Sequence, residues 1–238
     1  MNAEDFQKEL QKYANPEDAQ FLQRFFKTGS GQYGEGDIFI GVRVPVNRNV
    51  CRHFNGLPLT EIAKLLDSPV HEYRLAAVII LSSQYKKSTP GKRNKIFDLY
   101  LKKMHSGRIN NWDIVDSSAQ FIVGPHIAVN GDYALLAKLA RSPSIWERRV
   151  AIIACAYFLG QKDAGPTITI AEILINDEHD LIQKAVGWQL REIGKRVDRR
   201  LLISFLDKHA ATMPRTALRY AIEHLPAEQR LYYMKLKK

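Results

Sequence analysis

Four segments of this chain share one pattern, and their spacing limits the fold more than any other feature of the sequence. The segments are HEYRLAAVIIL (71–81), IWERRVAIIAC (145–155), LIQKAVGWQL (181–190) and MPRTALRYAI (213–222). Each begins with one or two basic residues, continues with a small residue and ends in an apolar run. The step is about 31–38 residues if the first gap spans two steps, with its midpoint near Asn111. A repeat of this length indicates stacked helix pairs rather than a single globular core.

In such a stack the second helix of every pair lines one concave surface, so equivalent positions form a stripe along it. For a single repeat, a charge at the head of an amphipathic helix is more simply a solvated edge. Basic residues at four equivalent places instead favour a groove that binds a polyanion. The small residues would let neighbouring helices approach closely. The basic residues are Arg74, Arg149, Lys184 and Arg215, and the small residues are Ala76, Ala151, Ala185 and Ala217.

The helical period of apolar residues extends over most of the chain, and strand-like alternation is nearly absent. The exception is GQYGEGDIFIGVRVP (31–45), which we interpret as a structured loop, with Pro45 in the first turn of the next helix. Further helix starts are predicted at Asn15-Pro16-Glu17, Ser68-Pro69, Thr89-Pro90, Ser142-Pro143 and Met213-Pro214. We therefore predict an all-α fold, an α-solenoid forming one domain, with N-terminal helices and a loop over 1–67 and repeat helices over 68–238.

The composition narrows the class of protein. The formal charge is +10, from 35 Lys and Arg against 25 Asp and Glu, which suggests a nucleic-acid partner, although many soluble proteins are cationic for no such reason. Cys51 and Cys155 have no metal-type spacing, Cys155 fits an apolar core, and the seven histidines are scattered, so neither a metal site nor a cofactor is expected. The segment MNAEDFQKEL has no secretory pattern, and no apolar run approaches the roughly 18 residues of a membrane span. We expect a soluble cytoplasmic protein.

Two tryptophans have polar neighbours that are unusual in the core between helices. Trp112 and Asp116 are four residues apart and share a helix face, and Trp188 follows Lys184 by one turn. Two indoles and a carboxylate beside a cationic stripe would suit a positively charged heterocycle, through stacking and cation–π attraction. A tryptophan in a solenoid is more often a core residue, and we prefer this interpretation for Trp146. The usual hydrolase, zinc-protease and nucleotide-binding signatures are absent from the sequence.

The segments WDIVDS (112–117), IWERRVAI (145–152) and IQKAVGWQLREIGK (182–195) resemble those of AlkD-like DNA glycosylases, the HEAT-like repeat enzymes of bacterial alkylation repair. FIGVRVP (39–45) is similar to a loop of the same family. The resemblance covers nearly the whole chain in order, and the WxLRE segment is its most specific part. It implies a HEAT-like repeat fold and excision of N-alkylated purines, such as 7-methylguanine and 3-methyladenine, from duplex DNA without base flipping. Such an open site would also admit bulky adducts.

The resemblance also implies roles for individual residues. A Trp, an Asp and a second Trp that surround the modified nucleotide match Trp112, Asp116 and Trp188, and an Arg that assists at the backbone matches Arg149. Phe25 stands where the family usually has a tyrosine, so any role of that hydroxyl is lost, and the loop 29–37 is longer than expected. The full set of expected DNA-binding residues is Phe25, Arg43, Pro45, Arg48, Arg74, Arg148, Lys184, Arg191 and Arg215.

A cationic alkylpurine is already a good leaving group, so no general acid is required. Asp116 would stabilise the oxocarbenium-like sugar and orient the attacking water. Without a lysine nucleophile, strand cleavage is not expected. We expect a monomer on alkylated duplex DNA, associated with the nucleoid when bound. Two alternatives stay open, a non-catalytic DNA-binding module and a groove for an acidic peptide. Asp113 is expected to be exposed on the neighbouring face, with helix-end capping as the alternative.

Overall fold

Apolar residues at helical spacing form α-helices along nearly all of the chain. The computed structural model describes residues 1–236, and these contain no β-strand, only an isolated parallel bridge between Ile38 and Val70. The all-α prediction is therefore confirmed for the described part of the chain. None of its helices is long and apolar enough to cross a membrane.

The chain divides into two compact units, and the boundary falls inside α8. The first unit, Met1–Ile122, contains α1 (Ala3–Gln11), α2 (Pro16–Phe25), α3 (Val44–His53), α4 (Leu59–Leu66), α5 (His71–Lys87), α6 (Pro90–His105) and α7 (Trp112–Asp116). Then follow α8 (Ala119–Asn130), α9 (Tyr133–Ala140), α10 (Ile145–Ala154), α11 (Ala156–Gly160), α12 (Gly165–Leu174), α13 (Asp180–Arg196), α14 (Arg199–His209), α15 (Arg215–Ala221) and α16 (Ala227–Lys235).

Helix starts follow the local chemistry of the sequence. The Asn15 side chain accepts hydrogen bonds from the first turn of α2, with Pro16 as its first residue, and Pro90 opens α6. Ser68-Pro69 and Ser142-Pro143 do not open helices directly, because α5 and α10 begin three residues after each serine. Each serine hydroxyl instead accepts the amide proton of the residue two places on, at 3.0 and 3.1 Å, and so forms a turn that precedes the helix.

The repeated helices have a register that differs from the predicted one. Arg74 donates to the carbonyl of Ser68, and Arg148 donates to the carbonyl of Ser142, six residues earlier in both cases. Gln183 makes the same contact to the carbonyl of Asp177. The residue equivalent to Arg74 is therefore Arg148 in α10 and Gln183 in α13, one position before the residues of the predicted stripe. The expectation that Arg74, Arg149 and Lys184 are equivalent is wrong, because a sequence pattern without caps does not fix the register to one residue.

Small residues allow close helix packing in both units, as expected. Ala76, Ala151, Ala185 and Ala217 are all buried. In the second unit α13 packs against α15 at Gly187, where a Cβ atom would collide with the carbonyl oxygen of Ala217.

Candidate active site

The short helix α7 carries the two residues that the sequence singles out most strongly. Trp112 is its first residue and Asp116 its last, so the two side chains leave the same face of one helical turn, and both are partly exposed. The side chain of Asn111 caps the helix by accepting the amide proton of Trp112 at 2.9 Å. The α7 turn therefore presents an indole and a carboxylate together.

Phenylalanine rings surround the indole of Trp112. Phe26 is buried and stacks on it, with ring centroids 5.2 Å apart and an angle of 9° between the planes. Phe25 meets the same indole edge-on at 6.1 Å and stacks in turn on Phe21 at 6.0 Å. Phe21 and Phe25 are 46% and 54% exposed, respectively. We call Phe21, Phe25 and Trp112 the aromatic strip, since it forms a partly solvent-facing row of rings that ends beside Asp116.

A buried polar network lies against α7, formed by Asp37, His71, Arg74, Asn111 and Asp113. The two ring nitrogens of His71 contact two different carboxylates, Nδ1 with Asp37 at 3.1 Å and Nε2 with Asp113 at 2.9 Å. Asp37 also accepts hydrogen bonds from Arg74 at 2.5 Å and from the amide of Asn111 at 3.2 Å. All five residues are buried, with at most 8% exposure. The polar network joins the loop before α3, the head of α5 and the start of α7.

The electrostatics of the polar network follow from these contacts. Burial alone would lower the pKa of His71, but Asp113 and Asp37 against its ring nitrogens raise that pKa to about 9. Burial would raise the pKa of the Asp37 carboxyl, whereas hydrogen bonding to His71 and the charge of Arg74 hold that pKa below its usual value. At neutral pH the polar network therefore contains an imidazolium between carboxylates.

Two expectations are corrected here. Asp113 is not exposed on a neighbouring face, because its Oδ2 contacts His71 and its Oδ1 accepts the amide proton of Ile114 at 2.8 Å. The capping alternative is thus correct in part. Arg74 is 2% exposed and its guanidinium bonds to Asp37 and Ser68, so it does not offer its charge to DNA. The cause of this burial is Asp37, which lies 37 residues earlier in the chain, so the local pattern of α5 does not indicate it.

The loop before α3 is held by a neighbouring acid. Glu72 is buried, and its carboxylate accepts hydrogen bonds of 2.8–3.2 Å from the backbone amides of Ile40, Gly41 and Val42. This contact orders FIGVRVP without using its exposed residues. Two of those exposed residues, Arg43 and Pro45, belong to the predicted DNA-binding set, and Arg48 of the same set is exposed on α3.

Arg43 lies over the aromatic strip. Its guanidinium carbon is 5.1 Å from the centroid of the Phe21 ring, and the same group is paired with Asp18. In the long loop 29–37, the partly exposed Tyr33 ring is approached by the ammonium group of Lys27 at 5.9 Å. Arg43 therefore places a cation beside the exposed phenylalanines of the first unit.

The second unit holds Trp188, which is partly exposed on α13 between two buried residues, Gly187 and Gln189. Arg149 is 5% exposed and donates to the backbone carbonyl of Leu181, at the start of the same helix. This corrects the expectation that Arg149 presents its guanidinium to a DNA backbone. In this structure it ties α10 to the helix that carries Trp188.

The other predicted cations of the second unit have acidic or backbone partners and remain partly or fully exposed. Arg148 pairs with Asp177 at 2.6 Å, and Lys184 pairs with Asp180 at 2.8 Å. Arg191 pairs with both Glu223 and Glu192, and Arg215 donates to the carbonyl of Leu236. Exposed pairs such as Lys184–Asp180 are weak, so a phosphate can compete with the acid for that cation.

Neither cysteine forms a disulfide, and both Cys51 and Cys155 are buried thiols. Among the described residues, no group of His, Cys, Asp and Glu side chains could hold a metal ion.

Comparison with known proteins agrees with this helical architecture. The family model described as DNA alkylation repair enzyme matches residues 6–225. A solved structure described as a predicted DNA alkylation repair enzyme from Enterococcus faecalis is similar to 90% of this chain and 97% of that chain, with a TM-score of 0.68. At 17% identity that likeness shows the fold alone. No curated protein matches. Because the family model spans nearly the whole chain, the protein belongs to the DNA alkylation repair enzyme family.

Proposed function

We propose that this protein is a monofunctional DNA glycosylase that hydrolyses the N-glycosidic bond of positively charged N-alkylated purines in duplex DNA. The observation that carries the proposal is the α7 turn, with Trp112 and Asp116 on one face and both partly exposed. The family assignment supports a role in DNA repair. The lesion class, 7-methylguanine and 3-methyladenine, rests on the chemistry of the site together with the sequence resemblance.

The substrate supplies much of the driving force. An N-alkylated purine is cationic and leaves as a neutral base, so the bond to C1′ breaks with positive charge developing on the sugar. A fixed carboxylate lowers the energy of that oxocarbenium-like state, and Asp116 is the residue proposed to supply it. The same carboxylate can orient the water that adds to C1′ and accept its proton. The indole of Trp112 would contact the sugar and the cationic base by cation–π attraction. In the second unit, Trp188 on α13 is proposed as a further indole for contact with a cationic nucleotide.

DNA would be held by aromatic and basic residues of each unit. In the first unit the exposed Phe25 and Phe21 rings offer apolar contact beside Arg43, and Arg48 is exposed on α3. This combination of rings with cations is common where proteins hold nucleic acid bases and backbone. In the second unit the proposed contacts are Arg148, Lys184, Arg191 and Arg215, which are all at least partly exposed. Because exposed rings need not enclose the base, excision without base flipping and tolerance of bulky adducts are part of the proposal.

The test compares a cationic with an uncharged lesion. Duplexes containing 7-methylguanine or hypoxanthine are incubated with excess protein, and the free base is measured by mass spectrometry. We expect release of 7-methylguanine and none of hypoxanthine, because an uncharged purine requires a general acid to leave. Abasic product without strand cleavage is expected, since no lysine nucleophile is proposed. Release of neither base would reject the glycosylase proposal and favour the alternative, a non-catalytic module that binds DNA.

DNA-binding measurements test the proposed partner. The formal charge of +10 predicts binding to duplex DNA that weakens steeply with salt, and an acidic-peptide groove would instead show little DNA affinity at low salt. Sedimentation of the complex is expected to give one protein per lesion site, as for a monomer. In a bacterial host the protein would act in the cytoplasm and associate with the nucleoid when bound.

A further inference from the structure

We propose that His71 is a positioning residue for the active site, acting as an imidazolium that bridges Asp37 and Asp113 and so fixes α7 with Trp112 and Asp116. The inference rests on the proposed function for its consequences in catalysis, whereas the positioning itself concerns the protein without DNA. It assigns a role to a buried group that touches neither the proposed substrate nor the solvent.

The contact geometry requires a protonated ring. Nδ1 and Nε2 of His71 each face a carboxylate oxygen, at 3.1 and 2.9 Å. A neutral imidazole has one N–H donor, so its other nitrogen would direct a lone pair at a carboxylate. The imidazolium donates at both nitrogens. Its elevated pKa, about 9, has the same cause.

The charges that face His71 balance only with the imidazolium. They are Asp37 from the loop before α3, Asp113 from α7 and, through Asp37, Arg74 from α5 itself. Two carboxylates against one guanidinium leave a buried negative charge if the ring is neutral. Glu72, the adjacent acid on α5, uses its carboxylate on the amides of 40–42. Loss of the His71 proton would therefore leave an unbalanced charge within the polar network, which is costly in a buried site.

The residues on both sides of Trp112 belong to this polar network. Asn111 donates to Asp37 and accepts from the amide of Trp112, while Asp113 holds His71. Two anchors that flank one residue fix both the start and the direction of a five-residue helix, which has too few internal hydrogen bonds to hold itself. The far end of that helix is Asp116, so the anchors determine where its carboxylate points.

Ring packing makes a second connection between His71 and the indole. The Phe26 ring lies between them, with its centroid 4.9 Å from the His71 ring and 5.2 Å from the Trp112 ring. Phe39 packs against both of these rings, with its centroid 4.5 Å from that of His71 and 5.0 Å from that of Phe26. A shift of the imidazole therefore moves Phe26 and with it the ring against which Trp112 stacks. The imidazolium thus acts on the indole both through the backbone and through packing.

The test places a reporter at Trp112 itself. Protein labelled with 5-fluorotryptophan has three fluorine resonances, of which Trp146 and Trp188 lie in the second unit and serve as internal references. We expect His71→Gln to shift or broaden the Trp112 resonance and to leave the two references unchanged. In the wild-type protein the Trp112 resonance should titrate as the pH rises through about 9, and in His71→Gln it should not. The exposed His53→Gln is the matched control and should behave as wild type.

Catalysis provides the second readout. We expect His71→Gln to lower the single-turnover rate of 7-methylguanine release about tenfold or more, with DNA affinity within about threefold of wild type, because only the geometry of the reacting groups is lost. Asp113→Asn keeps an acceptor for His71 but removes the charge of the carboxylate. Its rate should therefore fall between those of the wild type and of His71→Gln. If His71→Gln fails to fold, the wild-type pH titration and Asp113→Asn decide the matter.

The two proposals fail in different ways. An unchanged Trp112 resonance in folded His71→Gln, or a wild-type resonance that is flat through pH 9, overturns the positioning role whatever the enzyme assay gives. A Trp112 resonance that responds as expected in a protein that releases no base supports the positioning role and rejects the proposed function.

Discussion

The proton on His71 should stabilise the folded protein, and its removal by rising pH provides a quantitative test of the polar network. In the folded state Asp113 and Asp37 raise the pKa of His71 from its ordinary value of 6.5 to about 9. Each unit of difference between folded and unfolded pKa is worth about 1.4 kcal/mol, so the bound proton contributes about 3 kcal/mol of stability. The direction follows from the sign of the shift. The contribution is complete below about pH 6.5 and is lost as the pH rises through about 9.

The assay is urea unfolding of the wild type and of His71→Gln at three pH values. The variant differs by a constant offset from lost packing and hydrogen bonds, and this offset does not depend on pH. The difference in unfolding free energy between the two proteins should therefore shrink by about 3 kcal/mol between about pH 6 and pH 9.5, with about 1 kcal/mol of that loss complete by about pH 7.5. The exposed His53→Gln, outside the polar network, is the matched control.

Two results would contradict a raised pKa of His71 in the folded protein. A His71→Gln difference that stays constant from pH 6 to pH 9.5 would mean that His71 carries no extra proton in the folded state. A difference that grows with pH would mean that the folded state holds the ring neutral, with a lowered pKa, as burial without the two carboxylates would require.

Three further predictions concern packing, thiol chemistry and DNA contact. Gly187→Ala should lower the free energy of unfolding by about 1–3 kcal/mol, measured by urea denaturation, because its new Cβ would collide with the carbonyl oxygen of Ala217; wild-type stability would contradict the close helix contact. Cys51 and Cys155 should not react with Ellman's reagent in the native protein, since both are buried and burial raises the pKa of Cys51 to about 12; rapid native labelling would contradict this. Phe25→Ala should cost about 1–3 kcal/mol of DNA binding with little loss of stability, because the ring is 54% exposed, and equal Kd values in a titration would exclude the aromatic strip from the interface.

The helices could be predicted from the sequence because their signals are local. Pro16 and Pro90 begin helices where the sequence indicated, and the buried Ala76 and Ala185 occupy apolar faces that the helical period defines. The register between repeats could not be obtained in this way. The register depends on a side-chain contact to the carbonyl six residues earlier. The sequence pattern favours Arg149 of the adjacent pair Arg148-Arg149, whereas Arg148 makes this contact.

The residues of the candidate site likewise differ in whether local sequence signals identify them. Trp112 and Asp116 could be found because one turn of helix places them on one face. The role of Asp113 could not, since its partner His71 lies 42 residues earlier, and helical periodicity identifies a face without identifying what packs against it. Arg74 shows the same limit, because a basic residue at a helix head is exposed unless a distant acid such as Asp37 buries it.

The carboxylate of Asp116 on α7 is proposed to promote the departure of a cationic base. Single-turnover excision measures that effect. The measurement is the rate of 7-methylguanine release from a duplex by excess wild-type protein and by Asp116→Asn, with the DNA affinity of each determined in parallel. We predict that the substitution slows release about 100-fold or more while the Kd stays within about threefold, because the charge acts in the transition state and not in binding. Equal rates for the two proteins, or an Asp116→Asn defect explained entirely by weaker DNA binding, would contradict the account.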